Sequence, residues 1–244
     1  MIDTDTFRYE RLLWDTDYFG FNCGKILVLN EINSLVLSDI DAKCDLNKFT
    51  SIHMSTNAKN IFLISKLKNS FLADMPCKLV KKIDSHKLYK FENVQRFNST
   101  VHHDLDKNLS KLITISGNAF TEGRFYRDLN ISNEQASNLY EKWLLNSIKE
   151  NNNIIYHDRY EGFLVYTYND SNINIDLIAV DEKSRGKGIG KNLLNCLFYT
   201  AQKESIESIT VYTQSHNYKA INFYCNSEFR ISDVSSVFHV WRDK

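Results

Sequence analysis

The clearest chemical signal in the chain is a run of six residues, Arg185-Gly186-Lys187-Gly188-Ile189-Gly190. Three of the eight glycines of the chain fall within it. Glycine tolerates φ above zero and lets a ligand approach the backbone without a Cβ in the way. An apolar strand pattern precedes the run and a helical pattern follows it, so the N–H groups of the first helical turn would point into the loop. Since Arg185, Lys187 and Lys191 add positive charge, the run is suited to a diphosphate.

Two common phosphate-binding motifs do not fit this run. A Walker loop needs Ser or Thr after Gly-Lys, and Asn192 follows Lys191 here. A Rossmann fingerprint needs a glycine where Lys191 stands. The pattern R-x-x-G-x-G after a strand ending at Val180 resembles motif A of the GNAT acetyltransferases, whose loop holds the pyrophosphate of an acyl-CoA. The alternative is a glycine-rich surface turn with solvated lysines.

A second constellation has the pattern N-x-x-A-x-x-F-Y, from Asn217 through Ala220 to Tyr224. Asn217 is a good helix N-cap, and the other residues of the pattern fall on adjacent helical turns. This pattern resembles GNAT motif B, in which the asparagine reaches the pantetheine arm and the tyrosine stands near the CoA sulfur. The alternative for Tyr224 is a core tyrosine whose hydroxyl is satisfied.

The resemblance implies an acetyl-CoA-dependent N-acetyltransferase with no metal. Tyr224 would be the general acid that protonates the leaving thiolate, and a backbone N–H near Val180 would stabilise the oxyanion. The residues implied in coenzyme binding are Ile178, Ala179, Val180, Arg185, Gly186, Lys187, Gly188, Ile189, Gly190, Lys191, Asn217, Ala220 and Tyr224.

The general base is left open by the sequence. Asp176 lies on the same strand face as Ile178, but a solvated or salt-bridged aspartate is an equal reading. His216 and His239 are candidates by residue type alone. Cys225 is not expected to be a nucleophile, because a helix turns it about 100° away from Tyr224.

Three further stretches are similar to one branch of the family, the dTDP-fucosamine acetyltransferases. They are Trp14–Gly20 (WDTDYFG), Gly123–Tyr126 (GRFY), and a run that holds Thr213, Gln214, Asn217 and Tyr224 and ends in Phe238–Arg242 (FHVWR). This likeness implies that the acceptor is the amine of a nucleotide-linked aminosugar and that Arg124, Phe125 and Tyr126 border its cleft. The alternative for GRFY is simple packing against the following helix.

Two departures from the family pattern concern turns. Glu182 stands where motif A usually has proline, and Glu228-Phe229 replaces the usual Gly-Phe after motif B. Other readings keep the chemistry with a different acceptor (a peptide N-terminus, a polyamine or an antibiotic), or make the chain a non-catalytic acyl-CoA-binding regulatory domain.

The composition excludes several classes of protein. Lys plus Arg and Asp plus Glu both number 30 in 244 residues, so no net charge argues for nucleic acid binding. No apolar run approaches the length of a membrane span, and the first residues are no signal peptide. Five scattered cysteines suggest neither a disulfide framework nor a zinc site, which favours the cytoplasm.

The expected fold is α/β (α+β): a GNAT fold with a mixed central sheet flanked by helices, plus an N-terminal α/β half. The predicted domains are 1–95, contributing to the acceptor cleft, and 96–244, the acetyltransferase, with a linker near Phe91–Val101. Gly117 is expected to end a helix as its C-cap, and Ser132 with Gln135 to begin another with a capping box. Two strands, Phe229–Ser232 and Ser236–Trp241, are predicted at the end, and an exposed edge there is compatible with a homodimer.

Overall fold

The computed structural model describes residues 2–3, 5–96, 105–150 and 153–243. The chain divides into two compact units, which we call unit 1 (Met1–Cys77 with Asp233–Lys244) and unit 2 (Lys78–Ser232). This division differs from the predicted ranges 1–95 and 96–244 because the last strand returns to the first unit. Part of the predicted linker, residues 97–101, lies outside the described residues. The predicted functional division stays a prediction.

The secondary structure alternates strands and helices along most of the chain. The strands are β1 (Ile2–Asp3), β2 (Phe7–Arg11), β3 (Cys23–Val28), β4 (Phe49–Ser55), β5 (Ser70–Asp74), β6 (Pro76–Lys82), β7 (Val94–Arg96), β8 (Asn153–His157), β9 (Gly162–Asn169), β10 (Asn172–Val180), β11 (Ser208–Gln214) and β12 (Arg230–Trp241). The helices are α1 (Leu13–Phe19), α2 (Ser34–Cys44), α3 (Ala58–Ile64), α4 (Leu105–Ala119), α5 (Arg124–Arg127), α6 (Asn133–Lys149), α7 (Ile189–Lys203) and α8 (Tyr218–Asn226).

Each unit contains sheet strands flanked by helices, which confirms the predicted fold class. In unit 1 the strand order is β1-β2-β3-β4-β12, and β5 pairs with the other edge of β12. In unit 2 the order is β6-β11-β10-β9-β8-β7. Most pairings between the described strands are antiparallel, while β3 with β4 and β10 with β11 are parallel.

The core of unit 1 is formed by side chains from both ends of the chain. Phe238 and Val240 of β12 are 2% and 0% exposed, and they belong to one apolar cluster with residues of β2, β3 and β4. Since β12 pairs with β4 and with β5, its C-terminal half is not a free edge. The expectation of an exposed edge there is therefore wrong.

Helix α7 supplies the apolar face that packs on the sheet of unit 2. It is the helix predicted after the glycine-rich run, and its buried residues recur at helical spacing: Ile189, Leu193, Leu194, Cys196, Leu197, Phe198, Thr200 and Ala201. This packing fixes the beginning of the helix against the end of β10, where the glycine-rich turn lies.

Local details confirm some sequence predictions and correct others. The capping box of Ser132 and Gln135 is present at the start of α6. Gly117 is not a C-cap: α4 continues past it, and a Cβ at this position would lie 2.4 Å from Glu141 Oε1. Glycine here permits the close approach of α4 and α6. The two strands predicted after residue 228 are the single strand β12.

Within the described ranges, no helix is both long and apolar enough to cross a membrane. Nor do three His, Cys, Asp or Glu side chains among those residues come together in a way that could hold a metal ion. All five cysteines are free, and only Cys225 is exposed.

Candidate active site

The turn after β10 is closed by hydrogen bonds instead of by a proline. The side chain of Asp181 accepts from the N–H of Lys183 at 3.1 Å, and its carbonyl accepts from the N–H of Ser184 at 2.9 Å. Glu182, at the position where motif A usually has proline, opens the short 3₁₀ turn Glu182–Ser184. The departure from the family pattern thus leaves an ordered turn.

The glycines of the run serve different structural needs. Gly186 and Gly188 have φ of +79° and +82°, in the region that favours glycine, and a Cβ on either would meet no atom within 4 Å. Gly190 has a different role: a Cβ there would lie 3.1 Å from Cζ of Phe223. This close approach places α8, which carries motif B, against the start of α7.

The first turn of α7 offers unpaired N–H groups to a ligand. The N–H of Asn192, which donates to the carbonyl of Gly188 at 3.0 Å, makes the first hydrogen bond of the helix. The N–H groups of Ile189, Gly190 and Lys191 precede it and therefore have no helical acceptor. Together with the positive end of the helix dipole, they form an anion-binding concavity.

Three cations surround this concavity, and all three side chains are exposed. Nε of Arg185 donates to the carbonyl of Val180 at 3.3 Å, which holds the guanidinium beside the end of β10. Nζ of Lys187 donates to Oγ of Ser184 at 3.3 Å. Lys191 lies on the first turn of α7. Unpaired amides, open glycines and three cations fit the diphosphate of a coenzyme A thioester.

Strands β10 and β11 separate next to this turn. Their parallel pairing covers Asn172 to Ile175 of β10 and ends at the pair Ile175–Val211. A bulge in the pairing of β10 with β9 falls between Ile175 and Leu177. From there to Val180 the described strands make no ladder with each other, so the β10 edge that carries Ile178 and Val180 borders a gap. Ala179 is buried on the other face.

Helix α8 places Tyr224 in a buried aromatic environment. The Tyr224 side chain is 4% exposed, with ring centroids 5.3 Å from Phe223 and 5.5 Å from Phe229. No described residue makes a hydrogen bond with its hydroxyl, so the role of Tyr224 as a general acid stays a prediction. Burial raises the pKa of this phenol, which keeps it protonated at neutral pH.

Asn217 and Ala220 form the N-terminal cap of α8, as the sequence predicted. The Oδ1 atom of Asn217 accepts from the N–H of Ala220 at 3.1 Å. This bond uses the carbonyl end of the Asn217 side chain and leaves its Nδ2 donors for another partner.

The three candidates for the general base have different surroundings in the structure. Asp176 occupies the bulge of β10, and Oγ1 of Thr167 donates to its Oδ1 at 3.3 Å. Burial raises the pKa of Asp176 to about 6. His216 lies 3.4 Å from Oε2 of Glu122. His239 belongs to unit 1, where it is 0% exposed between Phe49 and Phe71.

The GRFY segment begins α5 and packs partly against α6. Phe125 is 7% exposed, and the hydroxyl of Tyr126 donates to the carbonyl of Gly117 at 2.6 Å. The guanidinium of Arg124 lies 4.9 Å from the centroid of the Phe125 ring. Of the three predicted acceptor contacts, Phe125 therefore serves mainly packing, while Arg124 and Tyr126 are partly exposed.

Glu122 joins this segment to the turn before α8. Its Oε2 accepts from Nη2 of Arg127 at 3.0 Å and lies 3.4 Å from Nε2 of His216. The sequence analysis did not identify Glu122, Glu161, Ser184 or Thr167 as site residues. No local pattern marks Glu122, Glu161 or Thr167, and the one available signal for Ser184 is its place directly before Arg185.

Comparison with known proteins finds a matching family model and a similar curated protein. Residues 121–227 match the model of the Acetyltransferase (GNAT) family. The spore coat polysaccharide biosynthesis protein SpsD of Bacillus subtilis (strain 168) is 27% identical over 140 residues, which are 53% of this chain and 46% of that protein. The chain therefore spans about half the length of this curated relative.

Solved structures share the fold at low sequence identity. The GCN5-related N-acetyltransferase from Sphaerobacter thermophilus superposes with a TM-score of 0.62 at 10% identity, over 97% of this chain and 76% of that one. A functionally unknown conserved protein from Staphylococcus epidermidis ATCC 12228 gives a TM-score of 0.66 at 13% identity, over 99% and 94%. At these identities the likeness concerns the fold alone.

Proposed function

Because residues 121–227 match the Acetyltransferase (GNAT) family model, we propose that the protein transfers acetyl from acetyl-CoA to the amine of a nucleotide-linked aminosugar. The acceptor class is a dTDP-4-amino-4,6-dideoxyhexose. The reaction is a direct attack of the amine on the thioester, in the cytoplasm, without an acyl-cysteine.

One observation carries the acetyl-CoA part of this proposal: the unpaired N–H groups at the start of α7 lie beside the gap between β10 and β11. A diphosphate bound at Gly186–Lys191 would direct the pantetheine arm along that gap, towards α8. The free Nδ2 donors of Asn217 are suited to an amide of the arm. When bound, the coenzyme supplies an activated acetyl group as a thioester.

Tyr224, Asp176 and the end of β10 have properties that the proposed reaction needs. Tyr224 is buried with a raised pKa, so it holds a proton that it can donate to a thiolate. Asp176 has a pKa of about 6 and is ionised at neutral pH, so it can accept a proton from an amine, directly or through water. A backbone N–H near Val180, on the edge that β11 leaves, is suited to stabilise negative charge.

The acceptor part rests on two weaker lines of support. The relative from Bacillus subtilis is named for spore coat polysaccharide biosynthesis, and activated sugars are the building blocks of polysaccharides. Arg124 is partly exposed, and a guanidinium is a suitable partner for a phosphorylated ligand.

A second acceptor class is favoured by Glu122. Its carboxylate is 55% exposed, and it already holds Arg127, so that arginine is not free for a phosphate. A carboxylate at this place favours a cationic acceptor such as a polyamine or a peptide N-terminus.

The proposal is tested by following release of CoA thiol from acetyl-CoA with a panel of amines. The panel holds a dTDP-4-amino-4,6-dideoxyhexose, the same sugar without its nucleotide, spermidine and a short peptide. We expect turnover with the nucleotide sugar to exceed that with each other amine. Preference for spermidine or the peptide would favour the second acceptor class, and no release with any amine would contradict an enzymatic function.

Tyr224→Phe tests the general acid. The variant keeps the ring but loses the proton, so we expect turnover to fall roughly ten- to a thousandfold while the Kd for acetyl-CoA stays nearly the same. Tyr218→Phe is the matched control, because Tyr218 lies on the same helix and is 70% exposed. Equal turnover in wild type and Tyr224→Phe would remove Tyr224 from the mechanism.

A further inference from the structure

A chain of side chains connects the glycine-rich turn with the turn between β8 and β9. Nζ of Lys187 donates to Oγ of Ser184 at 3.3 Å, and that hydroxyl donates to Oε1 of Glu161 at 2.9 Å. The other carboxylate oxygen, Oε2, lies 3.3 Å from Nδ1 of His157. Two hydrogen bonds therefore connect Lys187, in the turn after β10, with Glu161, in the turn between β8 and β9.

The two middle members of this series, Ser184 and Glu161, are held in place by further hydrogen bonds. Ser184 is 3% exposed, and its N–H donates to the carbonyl of Asp181. The main chain of Glu161 also takes part, since its carbonyl accepts from the N–H of Asp181 at 2.8 Å. Glu161 thus holds the turn after β10 twice, through its backbone and through its side chain.

We infer that Glu161 and Ser184 are positioning residues that fix the ammonium of Lys187 for the diphosphate of the coenzyme. The inference rests on the proposed function, because it assumes that the glycine-rich turn binds that diphosphate. Neither residue touches the ligand; both act through Lys187.

Fixing an exposed lysine has a clear physical benefit. A free lysine side chain loses much of its rotamer entropy when it binds a ligand. An ammonium has three donors, and Ser184 takes one of them, so two stay available for phosphate oxygens. The Lys187 side chain has then already lost part of its rotamer entropy in the folded protein before the ligand binds. Glu161 makes the hydroxyl oxygen of Ser184 a better acceptor, because its carboxylate accepts the hydrogen bond that this hydroxyl donates.

Ser184→Ala is the primary test, because it breaks both links without changing any charge. We expect the Kd and the KM for acetyl-CoA to rise about five- to twentyfold with kcat within about twofold of wild type. S-acetylpantetheine lacks the diphosphate, so its kcat/KM should not change. A general loss of structure would lower kcat/KM for both thioesters.

Variants of Glu161 provide the matched comparison. Glu161→Ala should weaken acetyl-CoA binding as Ser184→Ala does, whereas Glu161→Gln keeps an oxygen acceptor for the hydroxyl and should bind nearly as wild type. Asp158→Asn is the control, because Asp158 lies 3.6 Å from Nε2 of His157 but has no contact with Ser184. In a Lys187→Met background, Ser184→Ala should cause no further loss, since its effect passes through Lys187.

The outcomes separate this inference from the proposed function. If wild type binds no acetyl-CoA by calorimetry, both are wrong. If wild type binds acetyl-CoA and Ser184→Ala binds it equally well, the positioning role alone is wrong. Equal loss with acetyl-CoA and S-acetylpantetheine, or an undiminished effect of Ser184→Ala without Lys187, would also overturn it.

Discussion

Asp176 lies where β10 bulges and parts from β11, and Tyr224 lies on the helix that packs against the following turn. Burial raises the pKa of both side chains, but with different results. The phenol stays protonated and can act as an acid, whereas the carboxyl, with a pKa of about 6, is ionised near neutral pH and basic enough to accept a proton. Burial thus suits Tyr224 to donate a proton and Asp176 to accept one in the proposed reaction.

Asp176→Asn tests the base. If Asp176 accepts the amine proton, the kcat/KM of wild type should rise with pH through about 6, as the carboxyl ionises. The variant should lose that limb and turn over roughly ten- to a thousandfold more slowly at pH 7. Asp170→Asn, on the exposed turn before β10, should keep the wild-type profile. The same pH limb in Asp176→Asn would assign it to another group.

The same substitution should stabilise the fold at neutral pH. The pKa of Asp176 in the folded protein lies above its ordinary value of 3.8, so the protonated carboxyl stabilises the folded state. That contribution is present below about pH 4 and is lost as the pH rises through about 6. Asp176→Asn should therefore unfold at a higher temperature than wild type at pH 7, with a smaller difference at pH 4. An unchanged or lower Tm at pH 7 would contradict the burial argument.

The chemistry of single residues was only partly readable from the sequence. The glycines and cations of the run, Asn217 and Tyr224 follow from local pattern, because a turn and the helix after it are encoded by neighbouring residues. Glu161 and Ser184 come together only through the folding of two strand connections. The raised pKa of Asp176 likewise depends on burial, which no short pattern records.

At the scale of elements, the turn after α8 has Glu228 at the position where the pattern described above usually has glycine. Glu228 has φ of +69°, a conformation that costs a non-glycine residue about 1 kcal/mol. Its carboxylate pairs with Nζ of Lys81 at 2.7 Å and with Nζ of Lys87 at 2.5 Å. Since Lys81 is 4% exposed, these pairs supply the counter-charge of a buried ammonium.

Glu228→Gly tests this balance. The glycine relieves the backbone strain, but Lys81 loses its carboxylate, so we expect a lower free energy of unfolding in urea at pH 7. Hydrogen bonds from Lys81 and Lys87 lower the pKa of Glu228 from 4.5 to about 2. The advantage of wild type should thus be full above about pH 4.5 and disappear as the pH falls towards 2.

Two further variants control this result. Lys87→Met removes the more exposed partner and should cost less stability than Glu228→Gly. Glu228→Gly combined with Lys81→Met removes both members of the buried pair and should recover stability relative to Glu228→Gly alone. A Glu228→Gly variant more stable than wild type at pH 7 would mean that backbone strain outweighs the ion pairs.

Among the elements, the strand that ends at Val180 and the helix after the glycine-rich turn were predicted correctly, because strand and helix periodicities change sharply at that turn. Helix α1 was missed, since its short sequence has neither an N-cap side-chain bond nor a buried residue. Gly117 was misread because glycine at a helix end and glycine at a helix contact look alike in sequence. The two cases differ only in whether a second helix, here α6, packs closely against the glycine.

At the scale of the molecule, the last strand completes the sheet that the first strands begin. Seven successive pairs join Ser235–Trp241 to Phe49–Ser55, and the other edge of β12 pairs with β5. The sequence predicted strands at the end of the chain. The pairing between them could not be predicted, because it depends on contacts across almost two hundred residues of sequence.

Phe238→Ala measures how much this strand stabilises unit 1. Phe238 is 2% exposed in the apolar cluster, so we expect a loss of about 3–5 kcal/mol in the free energy of unfolding. Hydrogen exchange at the amides of β3 and β4 should accelerate accordingly. Ile231→Ala is the control on the same strand, because Ile231 is 53% exposed. Equal exchange rates in both variants would contradict a closing role for Phe238.

The place of β12 between β4 and β5 also bears on how the protein is made. A ribosome synthesises β4 and β5 early, then all of Lys78–Ser232, and only afterwards the strand that both await. During that interval the nascent chain carries open strand edges and an uncovered apolar face, which are sites where unfinished chains associate. Expression yield should therefore respond to chaperone supply and translation speed more strongly than to the stability of the finished fold.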